Sequence, residues 1–313
     1  DSIEEREGGA ERYLEEIAGD LKRKEYKPQA VRRVYIPKAA GGKRPLGIPV
    51  IRDRVVQMAV KIVIEPIFEA DFQDNSYGFR PKRSAHQAVE DVKKHLFAGK
   101  TEVIDADISK YFDTISHSKL MQLVARRIVD KHILRLIKMW LKAPNVEERE
   151  DGKKEYRGNE KGTPQGGVIS PLLANVYLNV LDTLWAVKKV QERLGARLVR
   201  YADDSVILCR GNADRILKGV KRVLEGLGLA LNEEKTRIVD ARQESSNFLG
   251  FSIGMKRGKK TGKRMGRLLS IWQLYESPVN FEKIPGLQDE NISASETPLP
   301  KFWVQGVSGQ VLL

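Results

Sequence analysis

Two adjacent carboxylates, Asp203 and Asp204, sit between apolar runs, Arg197-Leu198-Val199-Arg200-Tyr201-Ala202 before them and Ser205-Val206-Ile207-Leu208-Cys209 after. That pattern predicts a hairpin with an acidic turn. One Asp at a turn is ordinary, because its side chain bonds nearby backbone. Two side by side oppose each other's ionisation unless a cation offsets them, and a divalent metal is the natural cation. A second acidic stretch, Thr101-Glu-Val-Ile-Asp-Ala-Asp-Ile108, alternates so that Val103, Asp105 and Asp107 share one strand face. Two carboxylates on one face weaken an ordinary sheet. With the Asp107 strand beside the hairpin, three carboxylates converge. Oxygen ligands select hard cations, and Mg²⁺ takes one or two protein carboxylates plus substrate phosphates. Two such ions ~3.5–4 Å apart clamp an in-line phosphoryl displacement.

Other reactive residue types offer less. His86, His95, His117 and His132 are scattered without ligand spacing. Asp113 reads as a turn cap and Asp105 as a neighbour that supports Asp107 without joining it. Cys209, the one cysteine, follows Ile207 and Leu208 and reads as a buried thiol that suits a reducing compartment.

The rest of the chain must hold these groups and neutralise their substrate. A net charge of +13 implies a polyanionic partner, nucleic acid or an anionic membrane surface. No apolar run approaches the ~20 residues of a span, which disfavours membrane. The chain opens on Asp1 rather than methionine, as a processed or trimmed product would. Residues 1–25 read as a surface helix with Tyr13, Leu14, Ile17 and Leu21 inward. Val31–Ile36, a glycine turn at Gly41-Gly42, and Leu46–Val50 read as a basic hairpin carrying Lys38, Lys43 and Arg44, suited to phosphate or simply solvated. Residues 54–72 show helical spacing, with Pro66 kinking or ending the helix, and 84–97 follow as a helix capped by Ser84. Asn75–Arg83 is an aromatic and basic loop, fit for bases and phosphates or for packing.

Residues 116–141 read as one or two helices with Ser116 or Ser118 as caps, and 142–162 as an exposed loop or ribbon. Gly162-Thr-Pro-Gln-Gly-Gly167 is a glycine-rich turn before a helix with Ser170 at the N-cap and Pro171 at its first position. Ala213–Leu227 is helical, 229–239 extended, and Phe248–Ile253 one short strand. Residues 256–267 hold seven Lys or Arg in twelve positions, and the proline-broken tail beyond Ser277 shows no pattern. This order suits an α+β layer, an antiparallel sheet with helices on one face.

Read together, the motifs resemble the reverse transcriptases encoded by bacterial and organellar group II introns. The likeness covers roughly residues 20–255. Tyr201-Ala-Asp-Asp204 stands with Gly162-Thr-Pro-Gln-Gly-Gly-Val-Ile-Ser-Pro-Leu-Leu-Ala-Asn175, Asn75-Ser-Tyr-Gly-Phe-Arg-Pro81, Ile36-Pro-Lys38, Gly41-Gly-Lys-Arg-Pro-Leu-Gly-Ile-Pro49 and Phe248-Leu-Gly-Phe251, in family order.

The resemblance implies a right-hand polymerase: fingers over 1–100, with part of an N-terminal extension, and a palm over 101–255 whose antiparallel sheet packs on helices. It also implies a fingers-side insertion near 142–165, with 256–313 as basic tract and tail. By the same token Asp107, Asp203 and Asp204, helped by the Ile108 carbonyl, bind two Mg²⁺ ions, for which Mn²⁺ can substitute. Lys38 and Arg44 hold the triphosphate, Phe112 gates the sugar against a 2′-hydroxyl, and Gln165 contacts the incoming nucleotide. Lys235 protonates leaving pyrophosphate. Asn75, Tyr77, Arg80 and Arg83 follow the template, and Phe248 and Gly250 belong to the primer grip.

Implied partners are an RNA template, a DNA or RNA primer and dNTPs, with intron RNA or a protein assembly partner as further candidates. The implied setting is a bacterial cytoplasm or an organelle. Residues 268–313 are too short and proline-broken for the family's helical thumb, which implies a fragment, a degenerate copy or a polymerase inside a larger assembly. The expected activity is RNA-directed DNA synthesis. Its alternatives are an RNA-binding maturase that keeps the fold as a scaffold, and a domesticated relative in phage defence or CRISPR spacer acquisition.

Overall fold

The computed structural model describes residues 9–37, 42–149, 152–257 and 264–270. Lys38, most of the 256–267 basic tract and the tail beyond Ser277 lie outside the described residues or carry no described side chain.

Helix α1 (Gly9–Arg23) buries only Ile17 fully. Strands β1 (Val31–Pro37) and β2 (Lys43–Ile48) form the expected antiparallel hairpin, Arg33 facing Gly47 and Ile36 facing Arg44. Helix α2 (Ile51–Glu69) tolerates Pro66 because it falls in the last turn. Helix α3 (Ala85–Phe97) opens on a capping box, the Ser84 hydroxyl accepting from the Gln87 N–H while the Gln87 side chain accepts from the Ser84 N–H.

Strand β3 (Glu102–Ala106) is followed by the short helix α4 (Tyr111–Thr114) and by α5 (His117–Ala125) and α6 (Lys131–Lys142). The 116–141 stretch is thus two helices, and Asp130 caps the second by accepting from the His132 and Ile133 N–H groups. The 142–162 stretch is a ribbon of β4 (Asn145–Glu148) and β5 (Lys154–Arg157). Helix α7 (Ser170–Val187) is the most buried helix of the core. Ser170 is its first helical residue rather than its cap, and its hydroxyl accepts from Thr163 Oγ1 at 2.7 Å.

After α8 (Val190–Leu194) come β6 (Arg197–Tyr201), β7 (Asp204–Cys209), α9 (Ala213–Leu227) and β8 (Arg237–Asp240). Phe248–Ile253 is not one strand. β9 (Ser246–Phe248) and β10 (Phe251–Arg257) turn tightly through Leu249 and Gly250, both at positive φ, before β11 (Arg264–Ser270). Positive φ at both loop residues is the primed hairpin turn that follows strand twist.

The described residues form three sheets, ordered β2-β1-β4-β5, β6-β7-β3-β8 and β11-β10-β9. In the first, β1 runs parallel to β4 through Val31 and Asn145, so the ribbon joins the basic hairpin. The second is antiparallel throughout. Its Ile104, Leu198 and Ile207 face the main core with α7 and α9, while Val103, Val199 and Leu208 face a smaller core with α3 and Phe248. This is the expected α+β arrangement, except that α3 covers the second face of the sheet as well.

Candidate active site

Tyr201 pairs with Asp204, which leaves Ala202 and Asp203 as a two-residue loop between β6 and β7. Ala202 has φ of 57°, the conformation glycine prefers at the first position of such a turn. With a β-carbon that conformation costs about 1–2 kcal/mol. On the other edge of β7, Ser205 faces Ala106, and the Ser205 hydroxyl donates to the Ala106 carbonyl at 3.1 Å. Extending the register by one residue brings Asp107 level with Asp204, so the structure brings the three carboxylates to one end of the sheet.

Their electrostatics report crowding. Burial raises Asp203, Asp107 raises it further, and Arg44 and Arg200 counteract. Asp204 is pushed up to about 6, first by desolvation and then by Asp203, Asp107 and Asp105, with Arg44 opposing. Asp204 itself opens to solvent, where water screens the charges of its neighbours. Arg44, exposed on β2, is thus the fingers cation whose field reaches both turn carboxylates. Asp105 is held off from the cluster. It accepts from Ser246 Oγ at 3.1 Å and lies 3.8 Å from Arg237.

Past β3 the chain is tied to residues 230–236. The Asp107 carbonyl accepts from Asn232 N–H at 2.8 Å, and Ser109 N–H donates to the Ala230 carbonyl at 2.9 Å. These bonds flank the Ile108–Leu231 bridge, which leaves the Ile108 carbonyl outside that ladder, on the side away from Leu231. The same turn carries Lys235, whose Nζ lies 3.7 Å from Asp107 Oδ2 and whose side chain is 64 % exposed. Lys235 is therefore beside the carboxylates and free to move.

Phe112, on α4, is half-buried with its ring edge-on to Tyr111 at 5.4 Å. Its carbonyl accepts from Thr163 N–H at 2.8 Å, and the Ile115 carbonyl accepts from Gly162 N–H at 2.8 Å. Gly162, at φ +83°, could carry no side chain there, since a β-carbon would meet the Phe112 oxygen at 2.6 Å. Three residues on, the Gln165 carbonyl accepts from Gly47 N–H of β2 at 2.8 Å. Phe112, the glycine turn with Gln165 and the fingers strand with Arg44 are thus joined by backbone bonds. Lys38 lies outside the described residues.

Three of the four expected template contacts are placed differently. Asn75 is buried, its carbonyl accepting from Arg200 N–H and its amide donating to Asp182 at 2.7 Å. Tyr77 is buried with its hydroxyl on Asp91, and burial pushes it up to about 12. The Arg80 guanidinium is spent on Glu69 and on the Gln73 and Ser76 carbonyls. A side chain saturated inside the fold cannot also track a strand, so the template expectation for these three gives way to a structural role. Arg83 stays partly open, on Asp74 and over the Tyr77 ring, and Phe79 and Lys82 are exposed beside it. Phe248 is buried in the smaller core, and Gly250 at φ +80° forms the turn after it. Sequence reasoning missed Arg200 and Asp182, an ion pair beneath the acidic turn with 1 % and 0 % of each side chain exposed. The available signal was an acid inside the apolar stripe of α7.

Among the described residues no three acidic or imidazole groups already close around a point where an ion would sit. The donor set nonetheless suits Mg²⁺. It offers carboxylate oxygens at raised affinity for positive charge, and such ions draw much of their shell from substrate phosphates and water.

A family model described as "Reverse transcriptase (RNA-dependent DNA polymerase)" matches residues 36–253. Protein YkfC of Escherichia coli is 36% identical over 96% of this chain and 82% of its own length. The group II intron-encoded protein LtrA of Lactococcus lactis is 32% identical over 84% of this chain but only 54% of its own, so the chain spans about half of that relative. Apo telomerase from Candida tropicalis shares the fold at a TM-score of 0.56 and 13% identity, over 78% of this chain and 51% of that one. With the acidic sheet end, the bonded glycine turn and these relatives in agreement, the chain belongs to the reverse transcriptase family, alongside the proteins encoded by group II introns.

Proposed function

We propose that the protein is an RNA-directed DNA polymerase that extends a primer 3′-hydroxyl with deoxynucleotides on an RNA template. The observation that carries this is the β3–β7 register, which extended by one residue brings Asp107 level with Asp204, next to Asp203, with the Arg44 charge acting on both turn carboxylates. Asp107, Asp203, Asp204 and the Ile108 carbonyl would hold two Mg²⁺ ions. Bound there, such ions favour ionisation of the attacking hydroxyl and neutralise charge on the leaving pyrophosphate. The protein's own part is positioning. Arg44, joined by Lys38, draws the triphosphate to the carboxylates. Phe112 packs under the sugar and leaves no room for a 2′-hydroxyl. Gln165, fixed through Gly47, meets the nucleotide beside the template pair. Lys235 leaves Asp107 as substrate arrives and donates its proton to pyrophosphate. Arg83, with exposed Phe79 and Lys82, offers the template a basic, aromatic edge.

A second role, binding intron RNA, draws on the names of relatives, among them the Arabidopsis thaliana protein "Nuclear intron maturase 1, mitochondrial", 27% identical over 46% of this chain. The test is primer extension on an RNA template with wild type and Asp203→Ala. Extension should need Mg²⁺ or Mn²⁺ and vanish in the variant; synthesis surviving in the variant would remove the metal assignment. RNA binding should persist in the variant and weaken steeply with salt. RNA binding in both with extension in neither would favour the scaffold role.

A further inference from the structure

Directly beneath the acidic turn, a guanidinium is used to its full capacity inside the protein. Arg200 Nε donates to both Asp182 oxygens at 3.0 and 3.2 Å, and Nη2 reaches Asp182 again at 2.5 Å and Ser76 Oγ at 2.7 Å. Nη1 donates to Asn175 Oδ1 at 3.0 Å and to the Ala202 carbonyl at 2.8 Å. All five N–H directions of the fork have acceptors, and one acceptor is the backbone of the strained loop residue.

The same loop is pressed from the side. A β-carbon on Gly78 would lie 2.4 Å from the Ala202 nitrogen, so two backbones touch there. The Gly78 segment is fixed in turn. Its carbonyl accepts from Asn175 Nδ2 at 2.7 Å, and the Ser76–Arg200 bridge runs alongside it. Helix α7 thus grips the turn twice, through Asp182 and Arg200 from below and through Asn175 and Gly78 from the flank. A buried ion pair is weak as a source of stability, because desolvation offsets its attraction. It is strong as a fixer of geometry, because the bond directions are set and both side chains are closed off from water.

We propose that Arg200, anchored on Asp182, is a positioning residue that holds the Ala202–Asp203 turn in the conformation in which its carboxylates accept divalent metal. The inference rests on the metal-site reading above. It also gives Asn75–Gly78 a task that its burial fits, as a buttress of the turn rather than a track for nucleic acid.

The test separates geometry from stability. The double variant Arg200→Met, Asp182→Leu removes both buried charges together, the change such pairs tolerate best, and deletes the bond to the Ala202 carbonyl. Near-ultraviolet circular dichroism reports folding, and electron paramagnetic resonance titration with Mn²⁺ reports metal affinity without turnover. A folded variant should bind Mn²⁺ about tenfold or more weakly, the equivalent of ~1.4 kcal/mol. Its Mg²⁺ requirement in extension should rise, and kcat should fall at unchanged KM for the dNTP.

Wild-type Mn²⁺ affinity and Mg²⁺ dependence in the folded variant would overturn the proposal. Should the double variant not fold, Arg200→Lys carries the same comparison, since it keeps the charge opposite Asp182 but cannot reproduce the fork. A wild-type protein that neither binds Mn²⁺ nor extends a primer would overturn the metal-site reading itself. Wild-type binding matched by either folded variant would overturn this inference alone.

Discussion

Replacing Asp204 with Asn should stabilise the metal-free protein while abolishing polymerisation. In the folded state Asp204 rises from 3.8 to about 6, chiefly by desolvation and then through Asp203, Asp107 and Asp105. A folded-state value above the unfolded one means the folded protein binds the proton more tightly. That contribution favours folding at pH below about 4 and is lost as pH rises to about 6 and beyond. In a site closed to water such a rise would correspond to ~3 kcal/mol. Asp204 is open to solvent, and screening of an exposed charge leaves about 1 kcal/mol. Asn keeps the shape without the charge, so at neutral pH it should recover that amount, a rise of roughly 2–4 °C in Tm. The assay is thermal unfolding in chelator at low ionic strength from pH 4 to 8. The variant should match wild type near pH 4, pull ahead through pH 6 and hold its lead above. Added Mg²⁺ should then raise the Tm of wild type more than that of the variant. A variant equal to or less stable than wild type at pH 7 in chelator would refute the reasoning, because the acids would then not be crowding one another.

Three further outcomes follow from other sites. Phe112→Ala should let ribonucleotides compete with deoxynucleotides in extension assays, and unchanged sugar selectivity would remove Phe112 from the gate. Asp53, 2 % exposed, accepts from Tyr26 Oη at 2.6 Å and Gln29 N–H at 2.9 Å, while Trp140 Nε1 donates to Tyr26 Oη at 2.9 Å. Asp53→Ala should cost about 2–4 kcal/mol in urea unfolding by stranding buried donors, and a loss under ~1 kcal/mol would show that water takes its place. Cys209 is buried and pushed up to about 12, first by desolvation and then by Glu102. Thiol reagents at pH 8 should label it only at the rate of unfolding; fast labelling of native protein would contradict that burial.

Local rules made part of this molecule readable. The cap at Ser84 and the spacing of α2 and α9 need only neighbours in sequence, and so were legible. Asp107, Asp203 and Asp204 were legible because acids are costly in a strand and at an apolar turn, whatever the partner. Side-chain direction was not. Asn75, Tyr77 and Arg80 look like surface chemistry until Asp182, Asp91 and Glu69 claim them, and those partners are set by tertiary packing. The Phe248–Ile253 stretch reads as one strand because leucine at positive φ is rare, and Leu249 adopts it at 52°. Ser170 carries every mark of a cap, yet the hydroxyl of Thr163 engages it instead.

The parallel pairing of β1 with β4 also sets an order of events on the ribosome. The β1–β2 hairpin can close early, but Val31 has no partner on its other edge until Asn145 emerges. At ~5–20 residues per second that edge stays open for on the order of ten seconds. An open edge invites pairing with other nascent chains. The hairpin carries its own deterrents, since Pro45 interrupts the outer strand and Arg32 and Arg33 place charge on the waiting one. Arg32 and Arg33 are thus placed to keep the half-built sheet from finding the wrong neighbour before the right one is synthesised.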